Sequence, residues 1–199
     1  MNKVNQFAGL LLLIVLSACS RVAPSAVDNQ PQAIKSKPIS QLVATCAACH
    51  GQNGISVNEQ WPNLAGQQSD YLLQELRSFR DGKRQNALMT SSLLASLSDE
   101  DLGNIASHYA KIQPLKKQIQ GINELPGAHV RARCVSCHGM TGQSVTGLWP
   151  NVAGQKAGYL AKQLLDYKKG VRVHGTMQVI ASELTEQQIQ DVAYYYSMQ

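Results

Sequence analysis

The sequence has few aromatic and few charged residues. Aromatic residues make up 6% of the 199 positions, with Phe only twice, and charged residues make up 16%. With so few aromatic residues, small domains would bury little apolar surface in their cores. Such domains often need a metal, a disulfide or another stabilising group. No long run of one charge indicates disorder, and basic residues do not alternate with aromatic ones as on a nucleic-acid surface. We therefore expect no nucleic-acid partner.

The apolar run Phe7–Leu16 is too short to span a bilayer as a helix. Lys3 precedes it and Leu16-Ser17-Ala18-Cys19 ends it. This order of charge, apolar run and small residues is typical of an export signal, and the final four residues resemble the lipobox of bacterial lipoproteins. We predict a lipoprotein signal peptide over residues 1–18. An ordinary cleaved signal is the alternative.

The chain has five cysteines, of which four form two close pairs. Lipidation of Cys19 would account for the odd one. Residues 19–38 are rich in Pro, Ser, Gln and Ala and predict a flexible tether. The expected location is the periplasm, with a lipid on Cys19 anchoring the protein to a membrane.

The same sequence unit occurs twice, at an offset of 88 residues. The matching segments are Cys46-Ala-Ala-Cys49-His50-Gly51 with Cys134-Val-Ser-Cys137-His138-Gly139, and Trp61-Pro62-Asn63-Leu64-Ala65-Gly66-Gln67 with Trp149-Pro150-Asn151-Val152-Ala153-Gly154-Gln155. Repeated matches at a fixed offset predict two like domains. We place them at residues 39–121 and 122–199.

Each unit has helical periodicity and no alternating strand pattern, which predicts an all-α fold. We expect a helix leading into each Cys-x-x-Cys-His motif, with Pro126 in the first turn of the second one. A further helix should run from an N-cap at Ser69 to Gly82. The last helix of each unit should start at a capping box, at Ser98 and at Thr185.

Cys-x-x-Cys-His is the attachment motif of c-type haem. Two thiols three positions apart on a helical turn can reach the two vinyl groups on one porphyrin edge, and the adjacent histidine then faces the iron. We predict two covalently bound haem c groups. Their thioether residues are Cys46, Cys49, Cys134 and Cys137, and their proximal iron ligands are His50 and His138.

Three other readings of the cysteine pairs are weaker. A thioredoxin-like dithiol would need a surrounding βαβ pattern, which neither unit has. A zinc site would need a second cysteine pair in each unit. A disulfide within so tight a loop would constrain little.

The second axial ligand of each iron must come from the other side of the porphyrin. Met89 lies 39 residues after His50, and Met177 lies 39 residues after His138, both in predicted loops before the last helices. A lone methionine is more often a core gap-filler, but two at equal spacing in a repeat favour ligation. His174 is the rival ligand in the second unit.

Four further residues are candidates for support of the haems. A ligating imidazole normally donates its other N–H to an acceptor, and we propose the carbonyls of Pro62 and Pro150. Arg84 and Arg172 are candidates to pair with haem propionates. A plain turn and solvated charges are the respective alternatives.

These motifs together resemble the dihaem cytochrome c4 family, from Ile39 to the C-terminus. The resemblance implies two tandem class I cytochrome c domains, each wrapped around one covalent haem and related by a pseudo-twofold axis, with propionate edges facing across the interface. It also implies electron delivery toward a terminal oxidase in the bacterial periplasm. The lipobox and the long tether depart from the usual soluble form.

His/Met ligation would fill both axial positions and leave no iron site for a substrate. We therefore expect an electron carrier and not an enzyme. Its partners would be redox proteins, an electron donor and a terminal oxidase or other acceptor, with no small-molecule substrate. The alternative is the cytochrome subunit of a periplasmic redox enzyme of the peroxidase or thiosulfate-oxidising type. A haem-based sensor would need an output domain, which we do not find.

Overall fold

The computed structural model describes residues 37–114 and 120–199, and all regular structure in these two ranges is helical, as predicted. The first half contains α1 (Ile39–His50), α2 (Ser69–Arg80), α3 (Ser91–Leu94) and α4 (Asp99–Ala110). The second half contains two 3₁₀ segments (Ile122–Glu124 and Val130–Arg133), α5 (Val135–His138), α6 (Ala157–Lys168), α7 (Gly175–Ser182) and α8 (Glu186–Ser197).

The predicted signal peptide, the lipidation residue Cys19 and all but the end of the predicted tether lie outside the described residues. Within the described ranges, no helix is both long and apolar enough to cross a membrane.

Each half has its own small apolar core. In the first half α4 packs on α2 and α1, burying Leu72, Ile105 and Tyr109, with Cys46 against this cluster. In the second half α8 packs on α6 in the same way, and Cys134 lies against that cluster. The first cysteine of each motif therefore sits at the edge of a core.

The last helix of each half begins at the predicted capping box. The Ser98 hydroxyl accepts a hydrogen bond from the Asp101 N–H at 3.1 Å, and the Asp101 carboxylate accepts one from the Ser98 N–H at 3.0 Å. Thr185 and Gln188 make the same pair of bonds at 3.1 and 2.9 Å. Because these bonds satisfy first-turn N–H groups locally, both starts could be predicted from sequence.

Three predictions about elements were wrong in detail. The expected single helix before the second motif does not form. Gly127 has a φ of +88° and separates the 3₁₀ segment Ile122–Glu124 from the 3₁₀ segment Val130–Arg133 and α5. A Cβ on Gly127 would lie 2.3 Å from the carbonyl oxygen of Asp191, so this glycine lets the chain pack directly on α8. Met177 lies in α7 and not in a loop, and Ser69 is the first residue of α2, whose N-cap is Gln68.

The two halves meet through hydrogen bonds that occur in reciprocal pairs. The Gln155 amide binds the backbone of Asn63 at 2.7 and 2.9 Å, and the Gln67 amide binds the backbone of Asn151 at 2.7 and 2.8 Å. The side-chain amides of Asn63 and Asn151 donate to the carbonyls of Gly154 and Gly66, at 3.0 and 2.9 Å. A twofold relation between the halves produces such exchanged pairs.

Candidate haem sites

Neither cysteine pair of the two motifs forms a disulfide. In α1, Cys46 and Cys49 are one helical turn apart and therefore neighbours on the helix surface. Burial raises the pKa of the Cys46 and Cys134 thiols above their ordinary value. Burial thus favours the neutral form of the first thiol of each motif, which lies beside an apolar core.

Each motif histidine is the last residue of its helix and is held by a proline carbonyl. Nδ1 of His50 lies 2.8 Å from the carbonyl oxygen of Pro62, and Nδ1 of His138 lies 2.9 Å from that of Pro150. A carbonyl can only accept, so Nδ1 carries the proton and donates it. Burial lowers the pKa of both rings, which favours the neutral form. Nε2 then keeps its lone pair, as a metal ligand requires.

A glycine directly after each motif histidine allows a tight turn of the chain between that histidine and the proline that binds it. Gly51 and Gly139 have φ values of +79° and +80°. A Cβ would lie 2.3 Å from the Ile55 carbonyl oxygen at the first site and 2.1 Å from that of Gln143 at the second. Only glycine fits this tight turn, which explains why the repeated motif reads Cys-x-x-Cys-His-Gly.

Met89 and Met177 are half-buried, and equivalent residues hold their backbones. The Met89 N–H donates to Oδ1 of Asn86 at 3.0 Å, and the Met177 N–H donates to Nδ1 of His174 at a longer 3.4 Å. Asn86 and His174 occupy matching positions of the repeat. His174 is therefore explained as the N-cap of α7. Ligation of the irons by the two methionines stays a prediction.

Two buried hydroxyl groups indicate that the sites are shaped for a further group. The hydroxyls of Tyr109 and Tyr196, which match in the repeat, are buried without a hydrogen-bond partner among the described residues. Burial, and after it the neighbouring sulfur of Cys46 or Cys134, raises the pKa of each phenol. Buried polar atoms of native proteins normally have partners. The paired cysteines, an imidazole that donates through Nδ1 and so keeps the Nε2 lone pair, and a buried hydroxyl without a partner fit covalent haem.

Arg84 and Arg172 lie in a part-buried cluster between the halves. Arg84 contacts Glu75 of its own half and Gln163 of the other, and Arg172 contacts the same two residues. Neither this joining role nor the interface role of the Asn and Gln residues in the repeated Trp-Pro-Asn segments was predicted from the sequence. The sequence feature from which an interface role could have been predicted is that these polar residues are identical in both repeats. The pairing of either arginine with a propionate stays a prediction.

Two helical halves, each with a Cys-x-x-Cys-His helix end and a proline-bound imidazole, define the chain as a tandem c-type cytochrome. The family model described as Cytochrome c matches residues 36–111 and 126–197. This double match agrees with the repeat found in the sequence.

Known proteins narrow the class further. Cytochrome c4 of Pseudomonas aeruginosa is 33% identical, with 98% of each chain covered. The crystal structure of reduced recombinant cytochrome c4 from Pseudomonas stutzeri matches with a TM-score of 0.70 and 30% identity, over 80% of this chain and 95% of that one. A thiosulfate dehydrogenase electron acceptor of Thiomonas intermedia is 33% identical over 78% of this chain and 79% of its own.

The chain belongs to the cytochrome c4 family. It is a dihaem electron carrier and not an enzyme, and its cysteine pairs Cys46/Cys49 and Cys134/Cys137 fit two covalently bound haem c groups. The thioredoxin-like and zinc readings of the motifs are thereby set aside. Redox proteins are its partners.

Proposed function

We propose that this cytochrome is a periplasmic one-electron carrier between respiratory-chain partners, delivering electrons toward a terminal oxidase, and that a lipid on Cys19 holds it at a membrane. The observation that carries the proposal is the repeated histidine–proline hydrogen bond, with a methionine 39 residues further on in each half. His50 with Met89, and His138 with Met177, are the proposed axial pairs.

The chain's own groups orient each pair before any electron moves. The Pro62 and Pro150 carbonyls fix the imidazole rings, and the caps Asn86 and His174 hold the backbone at the methionines. Bound haem c supplies iron that alternates between ferric and ferrous states. If His50 with Met89 and His138 with Met177 hold the two irons, no coordination site would be left for a substrate, and the methionines would raise the potential relative to two nitrogen ligands. Such a site is suited to electron transfer and not to a reaction that makes or breaks bonds in a substrate.

The contacts between the halves support function as one unit. The amides of Gln67 and Gln155 each make two hydrogen bonds to the other half's backbone, and both side chains are buried. The segment that holds each histidine is therefore itself tied to the other half. Fixed relative positions of the two sites favour electron exchange between them.

The N-terminal sequence supports membrane attachment. The lipobox-like residues end at Cys19, and the composition of the segment after it predicts a tether, which as a flexible chain would typically span about 25 Å. A tether of this length keeps the protein near membrane-bound partners and raises its effective concentration there.

The relative named as a thiosulfate dehydrogenase electron acceptor favours a second candidate. In that role this chain would take electrons from a thiosulfate-oxidising enzyme, as a separate acceptor or as its cytochrome subunit. The two candidates share the same carrier chemistry and differ in the electron donor.

The test uses the full chain purified from membranes. Intact mass should show two haems and a lipid, and the ferric visible spectrum should show the Met–iron band. Oxidase-containing membranes should oxidise the reduced protein rapidly. Absence of the band, or peroxide turnover by the protein alone, would contradict the carrier proposal. Reduction only by thiosulfate with its dehydrogenase, without oxidation by the membranes, would favour the second candidate.

A further inference from the structure

Tyr109 and Tyr196 occupy matching positions of the repeat, on the last helix of each half. The Tyr109 carbonyl accepts a hydrogen bond from the Gly66 N–H at 3.0 Å, and the Tyr196 carbonyl accepts one from the Gly154 N–H at 2.8 Å. These glycines belong to the repeated segments whose prolines bind the motif histidines. Each tyrosine therefore joins the last helix to the segment that supports the histidine.

The rings of both tyrosines also pack on the turn that follows each haem motif. A Cβ on Gly54 would lie 2.7 Å from the Tyr109 ring, and a Cβ on Gly142 would lie 2.8 Å from the Tyr196 ring. Tyr109 is 1% exposed and Tyr196 is 4% exposed, yet the described residues offer neither hydroxyl a hydrogen bond of normal geometry. A buried hydroxyl without a partner is costly, so we expect a group of the holoprotein to satisfy it.

The polar group beside each hydroxyl is the sulfur of the first motif cysteine. Cys46 packs against the core cluster that contains Tyr109, and Cys134 packs against the one that contains Tyr196. After burial, this sulfur is the next cause of the raised pKa of each phenol. Hydroxyl and sulfur are therefore neighbours in both halves.

Haem attachment changes the hydrogen bonds that this sulfur can make. The Cys46 thiol donates to the Leu42 carbonyl at 3.8 Å. When the S–H adds across a haem vinyl group, the sulfur bonds to the vinyl carbon next to the porphyrin, and the hydrogen goes to the terminal carbon. The resulting thioether sulfur has no hydrogen and can only accept a hydrogen bond. Because the phenol hydroxyl is a donor that lacks an acceptor, the two groups are complementary.

We propose that the hydroxyls of Tyr109 and Tyr196 donate hydrogen bonds to the thioether sulfurs of Cys46 and Cys134, and that these bonds raise the reduction potentials of both haems. The inference rests on covalent attachment of haem at the two cysteines. Each tyrosine is a positioning residue, because it acts on its haem through the sulfur. A hydrogen bond to a sulfur that is joined to the porphyrin draws electron density from the ring and so stabilises the ferrous state. Because both halves contain the pair, both potentials shift in the same direction.

The test compares Tyr109→Phe and Tyr196→Phe with the unchanged holoprotein. Each variant removes one oxygen atom and keeps the ring packing. Redox titration should show that the equilibrium constant for reduction of the haem in the altered half falls about twofold, with the other haem unchanged. In proton NMR of the ferrous protein, each variant should lose one hydroxyl resonance that has a nuclear Overhauser contact to a thioether bridge. The haem signals of the two halves are assigned with Met89→His as reference.

The equilibrium constant for unfolding of each variant should rise about fivefold, because a buried hydrogen bond is lost. Tyr194→Phe, at an exposed position of α8, is the control and should change neither stability nor potential. If the hydroxyls had no partner in the holoprotein, removing them would leave stability unchanged or increase it. That result, an unchanged potential, or a hydroxyl contact to a propionate instead of the bridge would overturn the proposal. The haem count of the unchanged protein tests covalent attachment separately.

Discussion

The side-chain amide of Gln155 binds both polar groups of the Asn63 backbone, accepting from its N–H at 2.7 Å and donating to its carbonyl at 2.9 Å. The two residues are 92 positions apart. Asn63 follows directly after Pro62, whose carbonyl holds His50. One amide of the second half therefore supports the histidine segment of the first.

Replacing Gln155 with Ala should destabilise the protein by about 2 kcal/mol, because the part-buried N–H and carbonyl of Asn63 would each lose their partner. The free energy of unfolding of the holoprotein in urea measures this. Gln67→Ala should behave alike, since Gln67 makes the twin contact. Gln187→Ala, at an exposed position of α8, is the control. A loss no larger than in the control would show that the contact contributes nothing.

Replacing Cys134 and Cys137 together with Ala should remove one haem from the intact mass and leave the other resistant to acid–solvent extraction. The second half should also lose stability, because the porphyrin would form much of its small core. Ser136→Ala, inside the same motif, should keep both haems. An unchanged mass in the double variant would refute covalent attachment at this motif.

Replacing Met89 with His should lower the potential of the first haem and abolish its Met–iron band, since a second nitrogen ligand favours the ferric state. Met177→Ala should remove the band of the second haem alone. Visible spectra and redox titration of each variant give both results. If the Met–iron band of the second haem persisted in Met177→Ala, Met177 would not be a ligand of that iron.

Changing His174 to Asn, the residue at the matching position of the first half, should leave both Met–iron bands intact because Asn can cap α7 as Asn86 caps the turn at Met89. His174→Ala should also keep the bands but lose the cap, with a destabilisation of about 1 kcal/mol. Thermal or urea unfolding compares the two variants. Loss of the second haem's axial ligation in His174→Asn would instead identify His174 as a ligand.

Changing Cys19 to Ser should move the protein from the membrane to the soluble fraction or leave its precursor uncleaved, because no thiol remains to be acylated. Pro24→Ala, which keeps the cysteine, should stay in the membrane fraction. Fractionation followed by intact mass measures both. Recovery of the unchanged protein as soluble and free of lipid would contradict the predicted anchor.

Local features were predicted well from the sequence. The starts of α4 and α8 depend on residues three positions apart, Ser98 with Asp101 and Thr185 with Gln188. The helix at Met177 was not predicted, because its cap is a histidine, which is not a usual N-cap residue. The break before α5 was missed because it depends on the packing of Gly127 against the backbone of α8, far along the chain.

The sequence by itself determined two like units, their helical class and the residue types that attach haem, because each of these depends on short spacings within one unit. The tertiary structure alone decided that matching residues meet across the interface and that Glu75 contacts both Arg84 and Arg172. A repeat defines each unit but not how the units pack. Hydrogen bonds between residues about 90 positions apart form only once both helical cores have brought these side chains together.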